Sequence, residues 1–236
     1  MGGKMKDIKQ TLRKCKKGLR LLKVLSRQNF KTIYFNFKYL PFKQAIRIPI
    51  KVSKRVYLWH TGGQIILDCP IKSEMIQIGY GGVGIFDREV SRSIWQVSGT
   101  VIFRGSARIG HGSKLSVGGT LILGNGFNIT AESSIVATNR IEFGENCLLS
   151  WDILIMDTDF HKVKDKSENI LNPSAPIIIG NKVWIGCRCL ILKGTTIPEN
   201  CVIGANSFVG KRLEKENAVY GGQPVRLLKE EIIWSS

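Results

Sequence analysis

Residues 179–209 read IGNKVW IGCRCL ILKGTT IPENCV IGANSF V, and cut into sixes they place an aliphatic residue at the head of every unit: Ile179, Ile185, Ile191, Ile197, Ile203 and Val209. The second place is often glycine (Gly180, Gly186, Gly204), and the fifth is small or medium (Val183, Cys189, Thr195, Cys201, Ser207). Two places in six are therefore expected to face inward. Strands of a sandwich would instead alternate with period two and turn about every 8–12 residues.

Upstream the heads continue as Phe103, Ile109, Leu115, then Leu123, Ile129, Ile135, then Phe143, Leu149, Ile155. Groups of three thus recur about every twenty residues, a short internal period of the kind that marks a solenoid. Three sixes make one coil of a three-sided prism, and coils stack by parallel hydrogen bonding at roughly 4.8 Å per rung. The expected fold is all-β, a left-handed parallel β-helix of hexapeptide repeats. Cys147, Cys189 and Cys201 fall on the fifth place, so they are expected in the core. Residues 47–100 are less regular, with apolar alternation at Ile46, Ile48, Ile50 and Val52 and a Gly-rich turn at 79–84; they are expected to form irregular early coils.

Working outward, the predicted organisation is a basic amphipathic segment at 1–45, the β-helix at 46–226 with an external loop at 157–176, and a short closing helix at 227–236. The net charge of +17 sits at one end: residues 1–55 carry 17 Lys and Arg against the single acid Asp7, leaving the body nearly neutral. Within that end Ile8, Leu12, Cys15, Leu19 and Leu22 recur at helical steps among Lys and Arg, and 30–42 adds an aromatic cluster. A basic arm on a neutral body points to a polyanionic partner, an anionic membrane surface or nucleic acid. The arm shows no recognised nucleic-acid module. No run of 18 apolar residues occurs, and the candidate signal core near residues 18–26 is interrupted by Arg20 and Lys23. The expectation is a cytoplasmic protein able to touch the inner membrane surface peripherally. Six cysteines fit neither a paired secreted framework nor a C-x₂-C zinc pattern, so reduced thiols are expected.

The six-residue register stops between Met156 and Ala175, where Asp157-Thr158-Asp159-Phe160-His161 opens a polar, Pro-bounded excursion. A loop of that length in a compact fold is more often functional than accidental. Histidine is a fitting general base, since its unperturbed pKa of about 6.5 leaves it able to accept a proton near neutrality.

The stretch from Asp157 to Pro224 resembles the hexapeptide-repeat acyltransferases, the superfamily of maltose, galactoside, serine and capsular polysaccharide O-acetyltransferases. Three features carry the likeness: the loop motif 157–161; Pro176-Ile177-Ile178-Ile179-Gly180-Asn181-Lys182-Val183-Trp184-Ile185-Gly186; and Ile203-Gly204-Ala205-Asn206-Ser207-Phe208-Val209 followed by Gly221-Gly222-Gln223-Pro224. It extends back to about Phe103 and is loose before that. The resemblance implies an acyl transfer, acetyl by preference, from acyl-CoA to a hydroxyl of a sugar or surface-polysaccharide precursor, by a homotrimer with sites between adjacent prisms. It makes His161 the general base, with Asp159 or Asp157 holding its tautomer, and gives the backbone N–H of Cys187 the developing oxyanion. For the CoA it implies Gly186, Gly204 and Ala205 along the pantetheine, Trp184 as a pocket wall, Pro224 in the closing motif, and Lys211, Arg212 and Arg226 as donors to phosphate. Gly210 and Val225 depart from the residues common at those places, Thr and Ala, which loosens the CoA assignment.

Two other readings compete. Carbonic anhydrases use the same prism around zinc, but His60, His111 and His161 lie about fifty residues apart, with no close pair, against the tight ligand set zinc demands; no metal is expected. The alternative to an enzyme is a β-helix scaffold whose basic arm binds membrane or nucleic acid, which leaves the loop motif without a role.

Overall fold

The computed structural model describes residues 26–235. The basic helix expected at 8–25 lies outside them. From residue 50 onward the chain winds through three sheets in turn, parallel throughout but for the last strand of face I: face I, nine strands; face II, seven; face III, six. The first coil runs through Ile50–Val52, Tyr57–His60 and Gln64–Leu67, so the irregular region does coil. This is the left-handed parallel β-helix expected from the repeat.

Strand pairing turns the six-residue register into three stacks of side chains. On face I, Ile109, Ile129, Leu149, Ile185 and Ile203 are successive register partners. On face II they are Trp95, Leu115, Ile135, Ile155, Ile191 and Val209; on face III, Phe103, Leu123, Phe143, Ile179 and Ile197. All are buried, as are the fifth-place residues Val183, Cys189, Thr195, Cys201 and Ser207. Burial pushes the Cys147 thiol up to about 11 and raises Cys189 and Cys201 as well, so these are inert core thiols. The five described cysteines are all free.

A third rule of the repeat was not read from the sequence. In ten of the sixes the fourth residue closes the corner in the left-handed region: Glu132, Asn146, Asp152, Lys182, Arg188, Asn200 and Asn206, with Gly112, Gly126 and Gly194 in the same place. Asn and Gly reach that region at least cost, which explains their frequency there.

At the first coil, helix α1 (Phe30–Tyr39) and the short helix α2 (Phe42–Ala45) close the column. Asn29 caps α1, its side chain accepting from Thr32 N–H. One helix face replaces the missing strand: Thr32 Oγ1 accepts from Val52 N–H (2.9 Å) and donates to Val52 C=O (3.0 Å). Asn36 accepts from Ile50 N–H (3.2 Å) and donates to Ile50 C=O (2.6 Å). The sheet edge is thereby satisfied and blocked. Phe35 is buried against Trp95, whose indole N–H donates to Tyr39. Residues 30–45, expected as part of a separate segment, thus pack on the first coil, with Phe35, Leu40 and Ala45 joining its core.

The far end differs from the sequence expectation. Instead of a closing helix at 227–236, Arg226–Lys229 is a strand, antiparallel to Val219–Gly221. The tail then runs back, with Trp234 donating to Lys182 C=O and its ring tilted against that of Trp184. Sheet pairing overrides the weak helical preference of a short segment, because the last coil would otherwise leave its edge open. No helix among the described residues is long and apolar enough to cross a membrane.

Candidate active site

The prism has three edges, and the chain travels face I to II to III. Loop 157–176 leaves at the II/III edge, between Leu154–Met156 and Ile177–Ile179. Cys187 sits at the I/II edge, between Trp184–Ile185 and Leu190–Leu192. The two ends of face II therefore carry different parts of the expected site.

At the II/III edge the two aspartates separate cleanly. Asp157 is fully buried and its carboxylate accepts from Thr138 N–H (2.7 Å), Thr138 Oγ1 (3.0 Å) and Asn139 N–H (2.9 Å). That is the root of the loop, clamped to the preceding coil, and it corrects the reading of Asp157 as a partner for His161. Asp159 accepts from Lys193 Nζ (2.5 Å) and Asn172 Nδ2 (2.8 Å), and the Lys193 hydrogen bond holds its carboxyl below the usual range. Lys193 also donates to Asn172 C=O (3.0 Å), and Asn172 Nδ2 to His161 C=O (2.9 Å). Sequence reasoning missed Lys193 and Asn172 as loop holders, because their pairing joins two coils and carries no local signal. His161 is exposed and lines a pocket with Asp159, Phe160, Ile170, Asn172 and Ser174. Its ring has no hydrogen-bond partner among the described residues, so Asp159 shares the pocket without orienting the imidazole.

At the I/II edge Gly186, Cys187, Gly204 and Ala205 lie on successive corners. A Cβ on Gly186 would fall 2.7 Å from Ala205 N, so that glycine is required by the neighbouring coil itself. Gly204 is roomier, the nearest atom to such a Cβ being Tyr220 O at 3.4 Å. In the ladder Gly186 N–H donates to Ile203 C=O and Arg188 N–H to Trp151 C=O, while the Cys187 C=O accepts from Asn206 N–H; the Cys187 N–H itself takes no part. Trp184 faces outward on face I, donating to Ser150 Oγ and covered by Trp234, away from the His161 pocket. Pro224 follows Gln223, whose amide donates to Asn206 C=O at the same edge. Lys211, Arg212 and Arg226 come together around one depression at the end of the column, with Lys215 and Tyr220.

One polar cluster was not foreseen. His111 is buried at the I/II edge, its Nε2 3.0 Å from Ser91 Oγ, and Ser91 also donates to the Glu132 carboxylate. Since a hydroxyl donates once, His111 carries its proton on Nε2. Burial lowers its pKa. The cluster ties loop 79–93 to the column. Among the described residues no group of three His, Cys, Asp or Glu side chains could hold a metal ion.

A stacked hexapeptide column with a polar detour opening at one edge defines the class: a left-handed β-helix protein of hexapeptide-repeat type. Residues 176–211 match the family model for the bacterial transferase hexapeptide (six repeats). The chain is 34% identical over 115 residues to galactoside O-acetyltransferase of Escherichia coli (strain K12), covering 49% of this chain and 56% of that one. It is 33% identical over 113 residues to polysialic acid O-acetyltransferase of Neisseria meningitidis, covering 48% and 50%. The chain therefore spans little more than half the length of these curated relatives. Among solved structures, the polySia specific acetyltransferase NeuO superposes with a TM-score of 0.53 at 24% identity, over 80% of this chain and 89% of that one, a likeness of fold. The protein is thus a hexapeptide-repeat β-helix similar to O-acetyltransferases.

Proposed function

We propose that this protein transfers an acyl group, acetyl in the first instance, from acyl-CoA to a hydroxyl of a sugar or surface-polysaccharide precursor, directly and without an acyl-enzyme. The acceptor O–H gives its proton to His161 as its oxygen attacks the thioester carbonyl. The oxyanion forms facing the Cys187 N–H; on collapse the C–S bond breaks and the imidazolium returns the proton to the departing thiolate. In this reading Lys211, Arg212 and Arg226 meet CoA phosphates as charge-assisted donors, and Gly204 and Ala205 offer a low wall to the pantetheine.

The observation that carries this reading is the distribution of parts along face II. His161 leaves at one edge and Cys187 at the other, so one prism cannot assemble the site, whereas neighbouring prisms in a cyclic homotrimer set one copy's II/III edge against the next copy's I/II edge. The outward residues of face II change in character along the column, from Lys114 and Ser116 to Leu154, Met156, Leu190, Leu192 and Phe208, as expected where copies meet. The names of the similar O-acetyltransferases support the reaction class and a saccharide acceptor.

The test is release of free thiol from acetyl-CoA with a panel of glycans, galactosides and sialic acid polymers included. His161→Ala is expected to lower kcat by about 10²–10⁴ while leaving the KM for acetyl-CoA nearly unchanged. Full activity in that variant overturns the assignment.

A further inference from the structure

Helix α1 is apolar on both sides. Its inner face, Thr32, Phe35, Asn36 and Tyr39, closes the column, yet its outer stripe at i, i+4, i+7 is Phe30, Tyr34 and Phe37 rather than the polar face a surface helix shows. These rings join others. Phe30 stacks on Tyr34 and Phe37 meets Phe42; Tyr34 reaches Thr61 Oγ1 (3.4 Å), beside Trp59, which pairs with Tyr57. The result is a set of exposed aromatic pairs on α1, α2 and the first strand of face II, all at the first coil, with Phe30 80%, Phe42 69% and Trp59 63% exposed. Around it stand exposed Arg27, Lys38, Lys43 and Lys54, and residues 26–60 contain eight Lys and Arg and no Asp or Glu.

We infer that this end of the column docks on an anionic lipid surface, Phe30, Phe42 and Trp59 entering the headgroup region while the basic rim meets lipid phosphates. Aromatic rings are favoured at that boundary, where one part of the environment is apolar and the other wet, and each nearby Lys or Arg adds electrostatic attraction. Charge selects lipid over a protein partner: Glu74 neutralises Lys51 and Glu89 neutralises Arg55, but Arg27, Lys38, Lys43 and Lys54 stay exposed with no ion pair among the described residues, an excess of positive charge that repels a second copy of itself and fits a field of negative phosphates. The inference deepens the sequence-based reading of the basic segment as membrane-facing, moves the contact onto described residues, and stands whether or not the acyl-transfer reading holds.

Flotation of the full-length protein with vesicles of phosphatidylcholine, with and without about a third phosphatidylglycerol, tests it. Recovery with the anionic vesicles alone is expected, and the triple variant Phe30→Ser, Phe42→Ser, Trp59→Ser should weaken binding by about tenfold or more. Its melting temperature should stay close to the parent's, because those side chains are exposed. Brominated lipid should quench the parent's fluorescence and quench Trp59→Phe less. Equal flotation of parent and triple variant overturns the inference and assigns binding to residues 1–25. A change of mass in solution caused by the triple variant without lipid also overturns it, the face being then a contact between copies. His161→Ala should float like the parent, which separates this result from any failure of the catalytic reading.

Discussion

At the scale of single residues, the loop motif 157–161 holds two aspartates that look alike in sequence and do opposite things. Asp157 points back into the prism to satisfy two backbone N–H groups and a hydroxyl, while Asp159 faces Lys193 on the following coil. The difference follows from where the chain leaves its register: the first loop residue still occupies a coil position, and the third does not. His111 makes a second residue-scale point. Its folded pKa lies below the ordinary value of about 6.5, so in the window beneath 6.5 the unfolded chain binds a proton that the folded one refuses. Stability is then lost as pH falls through that window and unaffected above it. Facing groups are Ser91, Glu132, Asp87, Arg88 and Arg55, of which Glu132 and Asp87 oppose the shift and the arginines reinforce it. Melting temperatures between pH 7.5 and about pH 5.5 should fall more steeply for the parent than for His111→Gln; parallel curves would remove the histidine from the account.

At the scale of the element, one coil has no core of its own. Its three inward heads are covered only by the coils above and below, so stability resides in stacks. Ile135, between Leu115 and Ile155, is fully buried in such a stack. Ile135→Ala should cost about 2–5 kcal/mol in denaturant unfolding, the range for a core cavity that cannot collapse. An outward substitution such as Ser134→Ala on the same strand should fall within about 0.5 kcal/mol. The corner residues belong to this scale as well. Asn146, Asn200 and Asn206 look like ordinary polar surface until the backbone shows each in the left-handed region.

At the scale of the whole molecule, the two ends of the column and the two edges of face II divide the work. If each site is shared between copies, two dead variants with lesions on opposite edges should rescue one another. His161→Ala disables the II/III edge and Ala205→Trp obstructs the I/II edge, each leaving the other edge intact. Unfolding and refolding an equal mixture should restore activity at about a quarter of the interfaces in a cyclic homotrimer. A mixture as inactive as its parts would show that each prism works alone. With α1 at one end and the His161 pocket about four coils along, the site would stand roughly 20 Å or more from a surface touching the cap, taking about 4.8 Å per coil.

The amino-acid sequence by itself determined the column, because a side chain either faces into a prism or out of it, and a period of six with aliphatic heads admits one inward solution. It also located the loop, where that period fails, and the fifth-place cysteines in the core. Contacts between coils are another matter. The Lys193 clamp on Asp159, the Ser91–His111–Glu132 tie and the basic depression of Lys211, Arg212 and Arg226 each join residues 14 to 41 positions apart. Only stacking brings such residues side by side. The tail's pairing as a strand and the outward aromatic stripe of α1 were likewise decided in three dimensions: an open sheet edge takes whatever chain lies beside it, and a helix shows which face is spare only once the other is buried.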